Sequence, residues 1–167
     1  GEVEGIKATG TIVNVGSVAN PIEYTKLENF KEGNYSIELD EGELTITAKS
    51  IEGEDSGLKV EKPADVTYNG QPQEQKPVVT DTKLNATLVE DTDYTLTYSE
   101  DVKNAGTVTV TVTGKGNYVG ELETTYSIIA RNVTLTSGSA SKEYDGKPLT
   151  KAGVVISEDG FVEDEVA

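Results

Sequence analysis

Cysteine, histidine, tryptophan and methionine are all absent from this chain of 167 residues, and phenylalanine occurs only twice. Without cysteine there is no disulfide framework and no thiolate zinc site. Without histidine or cysteine, the commonest general base and the thiolate nucleophile are also missing. Paired carboxylates could still act as they do in glycosidases, but acidic residues are so abundant that pairs arise by chance, and small β-units offer no deep cleft. The chain therefore reads as non-enzymatic, with no cofactor and no metal site. Positive charge is scarce: 14 basic against 30 acidic residues leave a net charge of −16, and the basic residues are scattered. Nucleic acid or an anionic membrane surface would be repelled. No apolar run is long enough to insert in a membrane, and there is no signal peptide or sorting motif, so the chain reads as an interior excerpt.

Hydrophobic residues make up 35%, below the globular norm. They are nevertheless ordered in alternating runs between turn signals, which disordered chains lack. Strands are predicted at 11–15, 35–39, 43–48, 94–98, 107–113, 124–129 and 132–136. In 107–113, valines at 108, 110 and 112 point to one face and threonines to the other, as in a half-buried strand. Apolar residues nowhere persist at helical spacing, so no helix beyond a turn is expected; Lys26–Lys31 is the one stretch that would allow it.

Turn chemistry punctuates these runs. Asn-Gly and Asp-Gly tolerate positive φ, and they recur in order. An opening marker, Tyr-[Asn/Asp]-Gly-x-Pro, places Tyr68, Gly70 and Pro72 in one copy and Tyr144, Gly146 and Pro148 in a later one. A closing marker runs Asn-x-Gly, Gly-Asn-Tyr, Gly-Glu-Leu. It places Gly16, Gly33 and Tyr35 in one copy and Gly106, Gly116 and Tyr118 in another, with Gly-Glu-Leu at 42–44 and again at 120–122. The interval from Tyr68 to Tyr144 is nearly the interval from Gly42 to Gly120. Two markers that share a period and an order indicate tandem repeats. Residues 1–49 read as the C-terminal half of a β-repeat, 50–57 as a polar glycine-rich linker, 58–130 as a complete domain and 131–167 as the N-terminal half of the next repeat. The two halves read as one domain split in a loop.

The middle domain, with Tyr68-Asn-Gly-Gln-Pro, Asp93 to Tyr98, Asn104-Ala-Gly106 and Gly114-Lys-Gly-Asn-Tyr118, resembles the bacterial Ig-like or MBG-type repeats of Firmicute surface proteins. The flanking halves, with Lys142-Glu-Tyr-Asp-Gly-Lys-Pro148 and Gly33-Asn-Tyr35 through Thr47, are similar to the YDG-type repeat. The resemblance covers most of the chain and rests on turn and core residues. It implies tandem small Ig-like β-sandwich domains, with β-grasp-like domains as the alternative. It also implies an extracellular, cell-wall-attached or secreted stalk or adhesin of a Gram-positive bacterium, without catalytic residues.

Other features have plain structural readings. Gly114 to Gly120 has the spacing G-x-G-x-x-x-G with no helix following, so it reads as a turn and not a nucleotide loop. Acidic clusters at 90–93, 52–55 and 163–165 lack the alternation of a calcium loop and read as solvated turns. Exposed tyrosines could make a sugar platform, but a chain this poor in aromatics needs them in its core. The sequons at Asn34, Asn85 and Asn132 carry little meaning in a bacterial protein. Two functional classes follow: a spacer whose exposed half-domains complement head to tail between neighbouring copies, and an adhesin module that binds a host protein or glycan through its loops. Lys59, Lys76 and Lys103 lie near strands, the setting of the Lys–Asn crosslink that stiffens some surface domains. The intact mass of the purified chain is expected to equal that of the sequence; loss of one ammonia would reveal such a bond.

Overall fold

A computed structural model describes residues 1–165, the side chain of Asp164 apart; the last two residues assigned above to the C-terminal half lie outside that range. The protein is all-β. Among the described residues the only helical segments are single 3-10 turns at Glu32–Asn34, Glu54–Ser56 and Glu163–Glu165. The Lys26–Lys31 stretch forms no helix: the amide of Phe30 closes a turn on the carbonyl of Leu27.

The chain begins with β1 (Val3–Ala8), β2 (Gly16–Asn20), β3 (Ile22–Lys26) and β4 (Gly42–Ile46), followed by the short β5 (Lys49–Ser50). β1 pairs antiparallel with β3, and β2 with β4 in continuous register from Gly16–Ile46 to Asn20–Gly42. Next come β6 (Leu58–Glu61), β7 (Val66–Thr67), β8 (Val78–Asp81), β9 (Ala86–Thr87), β10 (Tyr94–Tyr98), β11 (Gly106–Gly114), β12 (Tyr118–Val119) and β13 (Glu121–Ile129). They build a four-stranded sheet in the order β10-β11-β13-β7 and a three-stranded sheet in the order β6-β8-β9, while β12 pairs parallel with β5. The chain ends in the hairpin of β14 (Val133–Ser137) and β15 (Val154–Glu158).

Two expected strands do not form. Residues 11–15 make no ladder, and pairing starts only at Gly16, whose φ of +144° suits glycine. Residues 35–39 alternate Tyr35, Ile37 and Leu39, but no strand pairs with them. Alternation fixes which side chains share a face, whereas a strand also needs a neighbour. The sequence reading missed β1, whose pattern is interrupted by a register shift between Glu4 and Lys7 with Gly5 at φ +64°. It also missed β2, β3, β6, β8 and β15, and the two-residue strands β5, β7, β9 and β12. The stretch read as a linker is folded: Ile51 is buried and donates its amide to Val119, and a 3-10 turn follows.

Contacts divide the chain into two compact units. The first holds residues 1–59, 80–95 and 112–122; the second holds 60–79, 96–111 and those from Glu123 onward. In the first, Ile51, Leu88, Tyr94, Val112 and Tyr118 are buried, and so is the carboxylate of Asp81. In the second, neighbouring strands β11 and β13 carry the core side by side: Val108, Val110, Tyr126 and Ile128 form it, with Val66, Tyr68, Leu96, Tyr98 and Val102 packed against it. The Tyr126 ring is fully buried and its hydroxyl donates to the carbonyl of Gln73, so the largest core side chain leaves no polar atom unpaired. Each buried valine contributes about 1.5–2 kcal/mol of transfer free energy. Val110→Ala is expected to cost roughly 2–3 kcal/mol in chemical denaturation, against less than about 0.5 kcal/mol for the exposed Val119→Ala.

Candidate functional site

The turn markers predicted from the sequence fall on turns that set the direction of strands. In Tyr68-Asn69-Gly70-Gln71-Pro72 the Gln71 amide donates to Asn69 Oδ1 at 2.9 Å, and Gly70 adopts φ +80°. In Tyr144-Asp145-Gly146-Lys147-Pro148 the Lys147 amide donates to Asp145 Oδ1 at 3.0 Å, and Gly146 adopts φ +72°. These are the same Asx turn with the same left-handed glycine. Pro72 and Pro148 are exposed in both. Gly106 opens β11 as Gly16 opens β2, Gly116 turns β11 into β12, and Gly33 sits in the 3-10 turn before Tyr35. Gly114, at the end of β11, has no room for a side chain: a Cβ there would come within 2.8 Å of the Val119 amide nitrogen. The tyrosines divide sharply: Tyr94, Tyr118 and Tyr126 are buried, Tyr24, Tyr68 and Tyr98 half-buried, and Tyr35 and Tyr144 exposed.

The acidic clusters are hydrogen-bonded turns. Asp93 accepts the Val89 amide, and Glu52 accepts the Glu121 amide. Among the described residues no three carboxylates converge as they would around a metal ion. Lys59, Lys76 and Lys103 lie exposed. Lys49 does reach a buried carboxylate: its Nζ lies 2.5 Å from Asp81 Oδ2. Asp81 is fully buried and also accepts the amides of Lys83 and Leu84 and the Tyr118 hydroxyl. Burial pushes its carboxyl up, but the Lys49 ammonium and the two amides outweigh burial and hold it below the ordinary carboxylate value. Burial, with the Asp81 charge beside it, raises the Tyr118 hydroxyl. The β8 alternation carried the signal for this cluster, because Val79 and Asp81 share one face of the strand.

Two further polar clamps escaped the sequence reading. On the first unit, Asn117 Oδ1 accepts the Val15 amide at 2.8 Å, its Nδ2 donates to Asn14, and its carbonyl takes the Lys49 amide. On the second, Arg131, the single arginine of the chain, spreads its guanidinium over three backbone carbonyls: Gly160 at 2.8 Å, Tyr68 at 3.4 Å, and Asp159. A planar fork of donors suits this task as a lysine does not.

An open apolar groove of about 750 Å³ lies in the N-terminal segment, lined by Ile6, Tyr24, Phe30, Tyr35, Ile37 and Leu39 among others. The Phe30 and Tyr35 rings stand 5.7 Å apart, and Lys26, paired with Glu32 at 2.8 Å, lies over Phe30. Its walls are mostly apolar and aromatic, with Glu2, Asn29 and Ser36 as the polar side chains beside the tyrosine hydroxyls. Compared with known proteins, the chain matches no family model, no curated protein and no solved structure.

Asp81→Asn is expected to lower stability by about 2–3 kcal/mol at neutral pH, since it leaves Lys49 without its counter-charge; the partial exposure of Lys49 keeps the loss below that of a fully buried pair. The depressed carboxyl stabilises the fold fully above the unfolded aspartate value of about 3.9, and that contribution is lost as pH falls through the lower folded value. Denaturation across pH 2–7 should therefore show the gap between wild type and Asp81→Asn at its widest above about pH 4 and narrowing below.

Proposed function

We propose that this chain is a spacer segment of a modular extracellular surface protein of a Gram-positive bacterium, built from tandem Ig-like β-repeats that hold a distal element away from the cell wall. In this reading 58–130 is one repeat and the flanking segments are parts of its neighbours. The observation that carries the proposal is that both junctions are pinned by directed hydrogen bonds. Asn117 ties residues 14, 15 and 49 to the β11–β12 turn, and Glu52 holds the amide of Glu121. At the other junction Arg131 ties Tyr68 to the loop at Asp159 and Gly160. A spacer transmits distance only if its joints resist bending, and short clamped connections do so where polar glycine-rich tethers would not.

The order of the repeat markers supports the same reading. The antiparallel pair β2–β4 occupies, in the closing marker, the place of neighbouring β11 and β13. β14 and β15 pair with each other before and after the Tyr144 turn, as β6 and β8 pair before and after the Tyr68 turn; β7, immediately before Tyr68, has no counterpart. The strong negative charge keeps such a rod soluble at high local density.

Fusing one, two and four copies of the chain in tandem tests the proposal. The maximum dimension measured by small-angle X-ray scattering should rise linearly with copy number, and Arg131→Ala in every copy should make the particles visibly more flexible and hasten cleavage near residues 129–132 by a nonspecific protease. Dimensions that stay flat with copy number would overturn the spacer reading, and saturable binding of the chain on an array of glycans or host matrix proteins would favour the adhesin.

A further inference from the structure

The turns at Tyr68 and Tyr144 share a shape but differ in the side chain that closes them. Asn69 and Asp145 each accept the amide two residues on, at 2.9 and 3.0 Å, and each precedes a left-handed glycine, at φ +80° and +72°. One turn thus sets a carboxamide beside a glycine, the other a carboxylate. Asn69-Gly70 is the single Asn-Gly step of the sequence; every other asparagine precedes valine, proline, phenylalanine, tyrosine or alanine. The fold fixes that glycine. At its positive φ a larger residue is strained, and a Cβ on Gly70 would come 2.8 Å from Val162 Cγ1.

Asparagine before glycine places an electrophilic carbon and a nucleophilic nitrogen on adjacent residues. The hydrogen bond from the Gln71 amide to Asn69 Oδ1 closes a ring that contains both atoms, so the turn keeps them together. The same amide polarises the carboxamide carbonyl and faces the oxygen on which negative charge develops when its carbon is attacked. Glycine puts no side chain in the way. Asn69 is exposed, so water can enter and ammonia can leave.

We propose that Asn69 is a site of spontaneous deamidation. The Gly70 nitrogen, its proton taken by hydroxide, attacks Asn69 Cγ. The new C–N bond closes a succinimide ring as the Cγ–Nδ2 bond breaks and ammonia leaves. Water then adds to either ring carbonyl and opens the ring to aspartate, or to isoaspartate, in which the main chain runs through the side chain. Asp145 indicates that the aspartyl product keeps the turn, since a carboxylate there accepts the same hydrogen bond. The isoaspartyl product adds a methylene to a segment held at both ends. Tyr68 donates its amide to Ile129 and takes Arg131 on its carbonyl, while Gln73 donates its amide to Val102 and accepts the Tyr126 hydroxyl. Asp145 itself resists ring closure. Lys142, 2.7 Å away, and the Lys147 amide hold its carboxyl below the ordinary value, and a carboxylate anion is a poor electrophile.

The test holds the full chain in mildly alkaline buffer at physiological temperature, native and in guanidinium, and follows it by peptide mass mapping. Freshly purified chain should show the sequence mass. With time the peptide carrying residue 69 should gain the mass difference between an amide and an acid, faster as pH rises, and no other asparagine peptide should match it. The native chain should react at least as fast as the unfolded one, because the turn presents the reacting atoms. Its products should resolve into aspartyl and isoaspartyl forms, with a nonspecific protease cutting the isoaspartyl form faster near residues 68–73. Asn69→Asp should melt with wild type and gain no mass at that peptide. A native chain that stays unchanged while the unfolded one reacts would overturn the proposal, as would an equal gain at another asparagine. Melting of Asn69→Asp well below wild type would overturn the tolerance claimed for the aspartyl product. These readouts are independent of whether tandem copies form a spacer.

Discussion

Burial along the inward faces of β11 and β13 is the interaction on which the second unit's fold depends. Val108 and Val110 on one strand lie beside Tyr126 and Ile128 on its neighbour in the same sheet, and these few side chains are its fully enclosed cluster. A core this thin, without tryptophan or methionine, has little reserve. It makes up the difference by enclosing Tyr126 completely while satisfying its hydroxyl on the Gln73 carbonyl, so that a large ring is buried at no polar cost.

Polar anchoring supplements that core. In the first unit a single buried carboxylate, Asp81, gathers an ammonium, two amides and a phenol, and so draws together β5, β8, the turn after β8 and β12. Such a network is costly to leave half made, which gives the local arrangement a unique geometry. Asn117 and Arg131 act differently: Asn117 uses its side chain and its own carbonyl, and Arg131 its guanidinium, to tie separate segments of the chain. The proposed spacer role draws on this second kind of contact, because stiffness at a joint needs direction as well as adhesion.

The strands legible beforehand were those with a regular two-residue alternation and a partner nearby in sequence. The valines and threonines of 107–113, the run 94–98, the run 124–129 and Glu43 to Ile46 all lie within observed strands. Where alternation stood alone it misled. Tyr35, Ile37 and Leu39 line one wall of a groove without joining a sheet. Glycine-rich polarity also misled at 50–57, where Ile51 is buried and the turn is tied through Lys83 to the Asp55 carbonyl and through Thr82 to Gly57. The markers at Tyr68 and Tyr144 were visible as turns, but their opposite exposure was not, since identical local chemistry says nothing about whether a partner surface is present.

Composition and periodicity were enough to establish the all-β class, the absence of cysteine and histidine chemistry, and the position of the main turns, because these depend on local stereochemistry and on which residue types exist at all. Three-dimensional packing alone decided that Asp81 is buried against Lys49, that Arg131 reaches carbonyls at Tyr68 and Gly160, and that Tyr35 and Tyr144 stand uncovered. Those outcomes turn on contacts between residues far apart along the chain, and a local pattern contains no record of which distant strand will lie beside it.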